Sequence, residues 1–283
     1  MLVETEIERA AQGNFLYARV AVDEMLATGK TPNLALPAGL QEHYTHAVRE
    51  TTSGRPAQSV NLGRSLLATL AVSIGDGLTI DHLAGIVGVP RPSVSEALLP
   101  WSQFLVGMPP NGPFRLFHPA FRECLLHIPD LDISPPEAHR AVGEHFLEEY
   151  RDAWEEADDY ALRTTPLHLT RGLAIPGSRL ERERVSRELH TLITDLDFLE
   201  AKAQRLGIEP VIADLDAASR AFTKGSVQAR ESSALLKVLS RYKGELGEWE
   251  PRDDPHRLAR LILHREEDLD KSLGEQARRI LGM

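Results

Sequence analysis

The sequence has one cysteine, Cys124. A single thiol excludes an intramolecular disulfide and a cysteine-rich zinc site within the chain. Aromatic residues are scarce at 6%, so the core has to be built mostly from Leu, Ala, Val and Ile. No stretch approaches the roughly 18 apolar residues of a membrane-crossing helix. The N-terminal segment MLVETEIERAAQGNF lacks the basic start and apolar run of a secretory signal. A basic surplus is missing too: the formal net charge is −10 and the pI about 5.6. That disfavours a non-specific binder of nucleic acid or anionic membrane, which needs a basic face. A soluble cytoplasmic protein with no membrane partner is the expectation.

Catalytic signatures are equally thin. Gly29-Lys30-Thr31 has the form of a phosphate-loop tail, but that loop needs a second glycine five positions earlier and a helix directly after. Position 24 is Glu24 and Pro32 follows, so the reading is a helix end. His43 and His46 sit three apart on a predicted helix with no third metal ligand placed by spacing. No G-x-S-x-G nucleophile elbow occurs.

What the 283 residues do contain is an ordinary globular mix, 42% hydrophobic and 26% charged. Helical periodicity dominates. Residues 14–28 place Phe15, Val22 and Met25 near one face, with Leu16, Val20 and Leu26 beside it. Gly29 ends that helix, and Pro37 opens another through about Thr51. Between 60 and 130 the pattern is helix, helix, helix, hairpin, helix. Thr79 is the expected N-cap of the second, Pro92 and Ser93 start the third, and FLVG and FRLF are the strands. That order is a winged-helix pattern. From Ser134 onward only helices are predicted, in short pairs suggesting a stacked, solenoid-like array without a fixed repeat. The charged run RLERERVSREL (179–189) reads as a solvated helix face. The expected fold is therefore mainly α: a helical lid-like segment (1–55), a winged-helix domain with one short β-hairpin (56–130), and an irregular α-helical array (131–283).

One stretch bears most directly on chemistry, Leu116-Phe117-His118-Pro119-Ala120-Phe121-Arg122. A histidine at a helix start can donate a hydrogen bond to a phosphate drawn to the helix N-terminus. From spacing alone the favoured reading is that it caps the helix and satisfies local groups. A DNA reading of the winged helix would use Pro92–Trp101 as recognition helix. That segment offers only Arg91 at its start, with Glu96 and the apolar Val94, Ala97, Leu98 and Leu99 inside, where phosphate contacts need several Lys or Arg.

The ordered set of segments resembles a known family. Gly13-Asn14-Phe15-Leu16-Tyr17-Ala18, Leu36-Pro37-Ala38-Gly39-Leu40 and the winged helix ending in Leu116–Phe121 are similar to the lid half of STAND signal-transduction NTPases of the NACHT type. Tyr160-Ala161-Leu162-Arg163 with Pro166-Leu167-His168-Leu169, and Leu196–Lys202, resemble the helical region that follows in bacterial members. The resemblance covers nearly the whole chain. It implies that His118 matches the winged-helix histidine contacting the ADP β-phosphate in the closed state, although Pro119 replaces the acidic residue that often follows. It also implies that Phe15 stands where the Gly-x-Pro lid motif lays its proline against the adenine.

The family's phosphate loop, magnesium-holding acids and sensor residues lie upstream of that lid motif, and this sequence contains none of them. The expectation is a non-enzymatic regulatory and interaction module that hydrolyses no ATP alone. ADP or ATP would bind only with a nucleotide-binding core supplied in cis or in trans; a WD-type propeller or an effector protein is the other implied partner. Two alternatives are a winged-helix DNA-binding regulator with a helical dimerisation or sensor domain, and a helical protein-binding scaffold.

Overall fold

The first helix lies where the sequence reads as acidic and polar. The computed structural model describes residues 2–11, 15–29, 38–108, 111–174, 179–250 and 254–283. Among these residues it has sixteen α-helices and one two-stranded antiparallel sheet, and it divides into two compact units, Met1–Ala138 and His139–Met283. No helix of the described residues is long and apolar enough to cross a membrane.

In the first unit, α1 (Leu2–Ala11), α2 (Phe15–Thr28) and α3 (Ala38–Thr52) pack in sequence. Helix α1 buries Ile7 and Ala11, one turn apart on one stripe. Gly29 closes α2 in a left-handed conformation (φ 66°), its N–H donating to the Met25 carbonyl at 2.9 Å. Lys30, Thr31, Pro32, Leu36 and Pro37, with Gly13 and Asn14, lie outside the described residues.

Helices α4 (Ala57–Val72), α5 (Ile80–Val87) and α6 (Arg91–Leu98) surround a core of Leu66, Leu70, Leu83, Val94 and Leu98. Thr79 caps α5 as expected: its hydroxyl accepts from the His82 N–H at 3.2 Å, while His82 Nδ1 accepts from the Thr79 N–H at 3.4 Å. A cap of this kind is worth about 1 kcal/mol. The predicted recognition helix is shorter than its sequence pattern. It ends at Leu98, and Leu99–Phe104 tighten into a 3-10 helix that buries Trp101.

Strands β1 (Leu105–Met108) and β2 (Asn111–Leu116) pair with Leu105 opposite Leu116. A further bridge joins Leu78 to Phe114 through two backbone hydrogen bonds of 2.9 and 2.7 Å. Only glycine fits before it. Gly77 has φ 97°, and a Cβ there would stand 2.1 Å from the Phe114 carbonyl oxygen. Helix α7 (Pro119–His127) follows β2 and packs on α3 and α4.

Helix α8 (Pro135–Tyr150) leads into the second unit, burying Val142 and Phe146 at the expected four-residue spacing. It stops at Tyr150, short of the predicted Trp154. The remaining helices are α9 (Asp159–Gly172), α10 (Arg179–Ile193), α11 (Leu196–Leu206), α12 (Ile208–Ala221), α13 (Val227–Arg241), α14 (Lys243–Gly247), α15 (Arg257–His264) and α16 (Lys271–Ile280).

Their packing corrects the solenoid expectation. In a solenoid each repeat touches only its neighbours. Here α9 packs on α10, α11 and α12, α10 reaches α13, and α11 reaches α15 and α16. Phe198 of α11 meets the Trp154 ring edge-on at 4.8 Å, and both side chains are fully buried. The charged run of α10 is not simply solvated either. Arg184 ion-pairs with Glu144 of α8 as well as with Glu181 and Glu188, and Arg140 of α8 donates to Glu181 at 2.6 Å. Burial pushes the Glu144 carboxyl upward, and the Arg184 guanidinium opposes that shift.

Candidate functional site

The His118 junction is assembled by a strand end, a helix start and the two N-terminal helices. Strand β2 ends at Leu116 and α7 begins at Pro119, which leaves His118 extended (φ −138°, ψ 140°) as N-cap. Proline at the first helical position lacks an N–H, so the first donor to satisfy is Ala120. His118 Nδ1 accepts that N–H at 3.1 Å. A ring nitrogen that accepts has no proton, so the imidazole proton sits on Nε2. Nε2–H donates to the carbonyl of Ala10, in the last turn of α1, at 3.0 Å. The ring is 3% exposed, and the Tyr17 ring of α2 lies tilted against it at 5.0 Å between centroids.

Behind His118, α7 is held by ring contacts and a hydrogen bond. Phe121 stacks on Phe104 at 4.4 Å and meets Tyr44 edge-on at 5.0 Å. Arg122 donates to the Ser73 carbonyl at 3.2 Å. Cys124 is fully buried, and burial pushes its thiol up to about 11, so it stays protonated at neutral pH and is no nucleophile.

This N-terminus holds no open anion cradle in the arrangement seen. The Ala120 N–H goes to the His118 ring, and the Phe121 and Arg122 N–H groups go to the His118 carbonyl. His118 is thus the helix cap that satisfies local groups. The remaining donor, the His118 Nε2–H, is held by the Ala10 carbonyl. A phosphate oxygen reaching it would replace the Ala10 carbonyl with a charged acceptor, and charge-assisted hydrogen bonds are the stronger kind.

The two residues assigned to nucleotide contact are not brought together. Phe15 opens α2 and is 80% exposed, whereas Tyr17 is wholly buried against His118. Two residues along a helix rotate the side chain by about 200°, so Phe15 points away from the junction. Of the apolar residues grouped on a face of α2, Phe15, Val22 and Leu26 are exposed and Met25 is half-buried. Leu26 is 74% and Val22 37% exposed, and they line up with Phe15 seven and eleven positions on. The buried face is Tyr17 and Ala21 instead, so Phe15 is not an ordinary core residue.

The other sequence candidates are local features. His46 is exposed and paired with Glu50 one turn on, and the His43 side chain is not among the described ones. Among the described residues no group of three or more His, Cys, Asp or Glu could hold a metal ion. Arg91, the one cation offered to DNA by α6, is ion-paired with Asp81, and Val94 and Leu98 pack inward.

The second unit holds buried polar groups that spacing did not flag. His139 and His168 join Nδ1 to Nδ1 at 2.9 Å, with the Tyr160 hydroxyl 3.4 Å from His168 Nε2. Burial, helped by His139 and Arg171, lowers His168 to about 3 and keeps it neutral. Lys202 is fully buried, ion-paired with Asp214, and donates to the Arg163 carbonyl at 3.3 Å. Burial pushes Lys202 down and Asp214 up, and each partner's charge counters the other's shift. Lys202 falls one turn after Phe198 and Leu199, a lysine on an otherwise apolar stripe, which is the signal that could have found it.

Compared with family models, curated proteins and solved structures, the chain matches none.

Proposed function

We propose that the chain is a non-catalytic regulatory module of the STAND type. It would gate a nucleotide-dependent switch when a nucleotide-binding core is present in cis or in trans. In this reading α1–α3 are the lid segment and residues 56–130 a winged-helix domain. The Leu78–Phe114 bridge supports the latter, adding a third short stretch to the hairpin in the order a winged helix requires.

The observation that carries the proposal is the buried His118 Nε2–H held by the Ala10 carbonyl. It supports a two-position donor. Without a nucleotide core, His118 ties α7 to α1. With an ADP-bound core, the same N–H would go to phosphate and α1 would be released. A ligand shifts such an equilibrium only through its different contacts with the two states, and this hydrogen bond is such a difference. The outward stripe Phe15, Val22 and Leu26 gives the core an apolar face of α2 to cover.

The test begins with the pure chain, which is expected neither to hydrolyse ATP nor to give a calorimetric ADP isotherm. Immunoprecipitation from its own cells, with antibody against α13–α16, is then expected to recover a phosphate-loop segment. That segment would lie on a longer polypeptide or on a co-precipitating protein. Robust hydrolysis by the pure chain, or a 31.4 kDa band with no phosphate-loop protein beside it, would overturn the reading.

A further inference from the structure

Four lysines and arginines of the second unit converge on one groove, and none of them is ion-paired with the carboxylate that also lines it. Arg230, Lys237 and Arg241 share a face of α13, seven and four residues apart, and Lys224 stands on the turn before it. All four are exposed, and among the described residues none forms an ion pair or side-chain hydrogen bond. They line a cavity of about 900 Å³ together with Arg265, and Asp268 is its one acidic residue.

Over the whole chain acids outnumber bases 42 to 32. Arg140, Arg184, Arg205, Arg260, Arg278 and Arg279 each meet a carboxylate. Arg265 completes the groove wall. It lies over the Tyr242 ring at 5.1 Å and donates to the Tyr242 hydroxyl, while its buried Nε has no partner.

The shape narrows the ligand. At 1.5 Å rise per residue, the α13 cations stretch over about 16 Å, a line rather than a point. Ala229, Ser233 and Ala234 are small and let a backbone lie close between the long basic side chains. An extended peptide advances about 3.3 Å per residue, so about five residues cover the line. Single-stranded nucleic acid would use aromatic faces for stacking, and the one aromatic ring lining the groove, Tyr242, is covered by Arg265.

We infer that this groove docks an extended acidic peptide segment of a partner protein, its Asp and Glu carboxylates meeting Arg230, Lys237 and Arg241. The inference is independent of the STAND reading and stands or falls separately.

The experiment titrates the full chain into a fluorescein-labelled glutamate octamer and follows anisotropy, with a glutamine octamer as control. Binding of the glutamate peptide alone is expected, weakening steeply as added salt shortens the screening length. Lys237→Glu with Arg241→Glu is expected to weaken it about tenfold or more, and Arg64→Glu, an exposed arginine of the first unit, to leave it unchanged. Circular dichroism verifies folding, and Lys237→Gln with Arg241→Gln replaces the reversal if the reversed protein is unfolded. No anisotropy change at low salt overturns the proposal, as does charge reversal without effect. Displacement of the peptide by a single-stranded oligonucleotide or by inorganic phosphate at lower concentration than by unlabelled peptide also overturns it, assigning the groove to that ligand.

Discussion

His118 and Ala10, 108 residues apart in sequence, share a hydrogen bond that ties the last turn of α1 to the first turn of α7. The same imidazole caps α7 through its other nitrogen, so one side chain serves two elements, and the two roles can be separated. His118→Ala removes both. Loss of the cap costs about 1 kcal/mol, and losing the hydrogen bond to the half-buried Ala10 carbonyl adds about 1 kcal/mol. His118→Asn keeps a capping oxygen near the Nδ1 position and loses only the reach to Ala10. The expected result in urea unfolding is a clear loss for the alanine variant and a smaller one for asparagine. Amide exchange in residues 2–11 should be accelerated in both. Unchanged exchange in α1 would show that the tie contributes nothing.

The exposed stripe of α2 makes a different prediction. Phe15 and Leu26 bury little in the isolated chain, so Phe15→Ser with Leu26→Ser should shift stability by no more than about 0.5 kcal/mol. The pair should nevertheless lower the binding of a hydrophobic dye, since exposed apolar side chains on one face form a patch. A large drop in thermal stability would mean that this face is already covered within the unit.

The Lys202–Asp214 pair predicts strong non-additivity. Lys202→Met leaves a buried carboxylate without its counter-charge, and breaking one side of such a pair costs about 3–5 kcal/mol. The double variant Lys202→Met with Asp214→Leu removes both charges and should regain most of that loss. A double-mutant cycle by chemical denaturation measures the coupling. Equal losses from the single and double variants would show that the pair stabilises nothing beyond its packing.

The parts of this fold legible in the sequence are those set by local rules. Thr79 caps α5 and Gly29 closes α2, because cap and turn chemistry act within four residues. The hairpin is where Pro and Gly flank short apolar runs. Helix α1 falls within the segment read as helical, but its thin apolar stripe, with Val3, Ile7 and Ala11 four apart, does not delimit it. Periodicity located α2 but does not say which face is inner: Tyr17 and Ala21 pack inward, while Phe15, Val22 and Leu26 are exposed. Spacing can mark a stripe, but it cannot say which neighbour covers it. The His118 site was half legible. Its place at a helix start follows from the proline after it, but the Ala10 partner is a long-range contact with no local trace. The His139–His168 and Lys202–Asp214 pairs share that property.

The buried histidine pair makes stability depend on acidity in a predictable direction. His168 is held neutral with its pKa lowered to about 3, chiefly by burial and further by His139 and Arg171, against an ordinary value near 6.5. Above about pH 6.5 neither the folded nor the unfolded chain protonates it, and its full contribution to stability is present. Below that, the unfolded chain takes up the proton and the folded chain does not. Stability therefore falls as the pH drops from about 6.5 toward about 3, by at most about 1.4 kcal/mol per pH unit from this group. Asp195 and Asp214 act in the opposite sense, because burial raises their pKa values and the folded chain takes up their protons first. The His168 contribution is isolated by comparing the wild type with His168→Gln, which keeps hydrogen-bonding capacity without titrating. Unfolding free energies at pH 7.5, 6.5, 5.5 and 4.5 should show the wild-type advantage shrinking at each step below 6.5. A constant difference across that series would mean that His168 takes up its proton in the folded chain as readily as in the unfolded one.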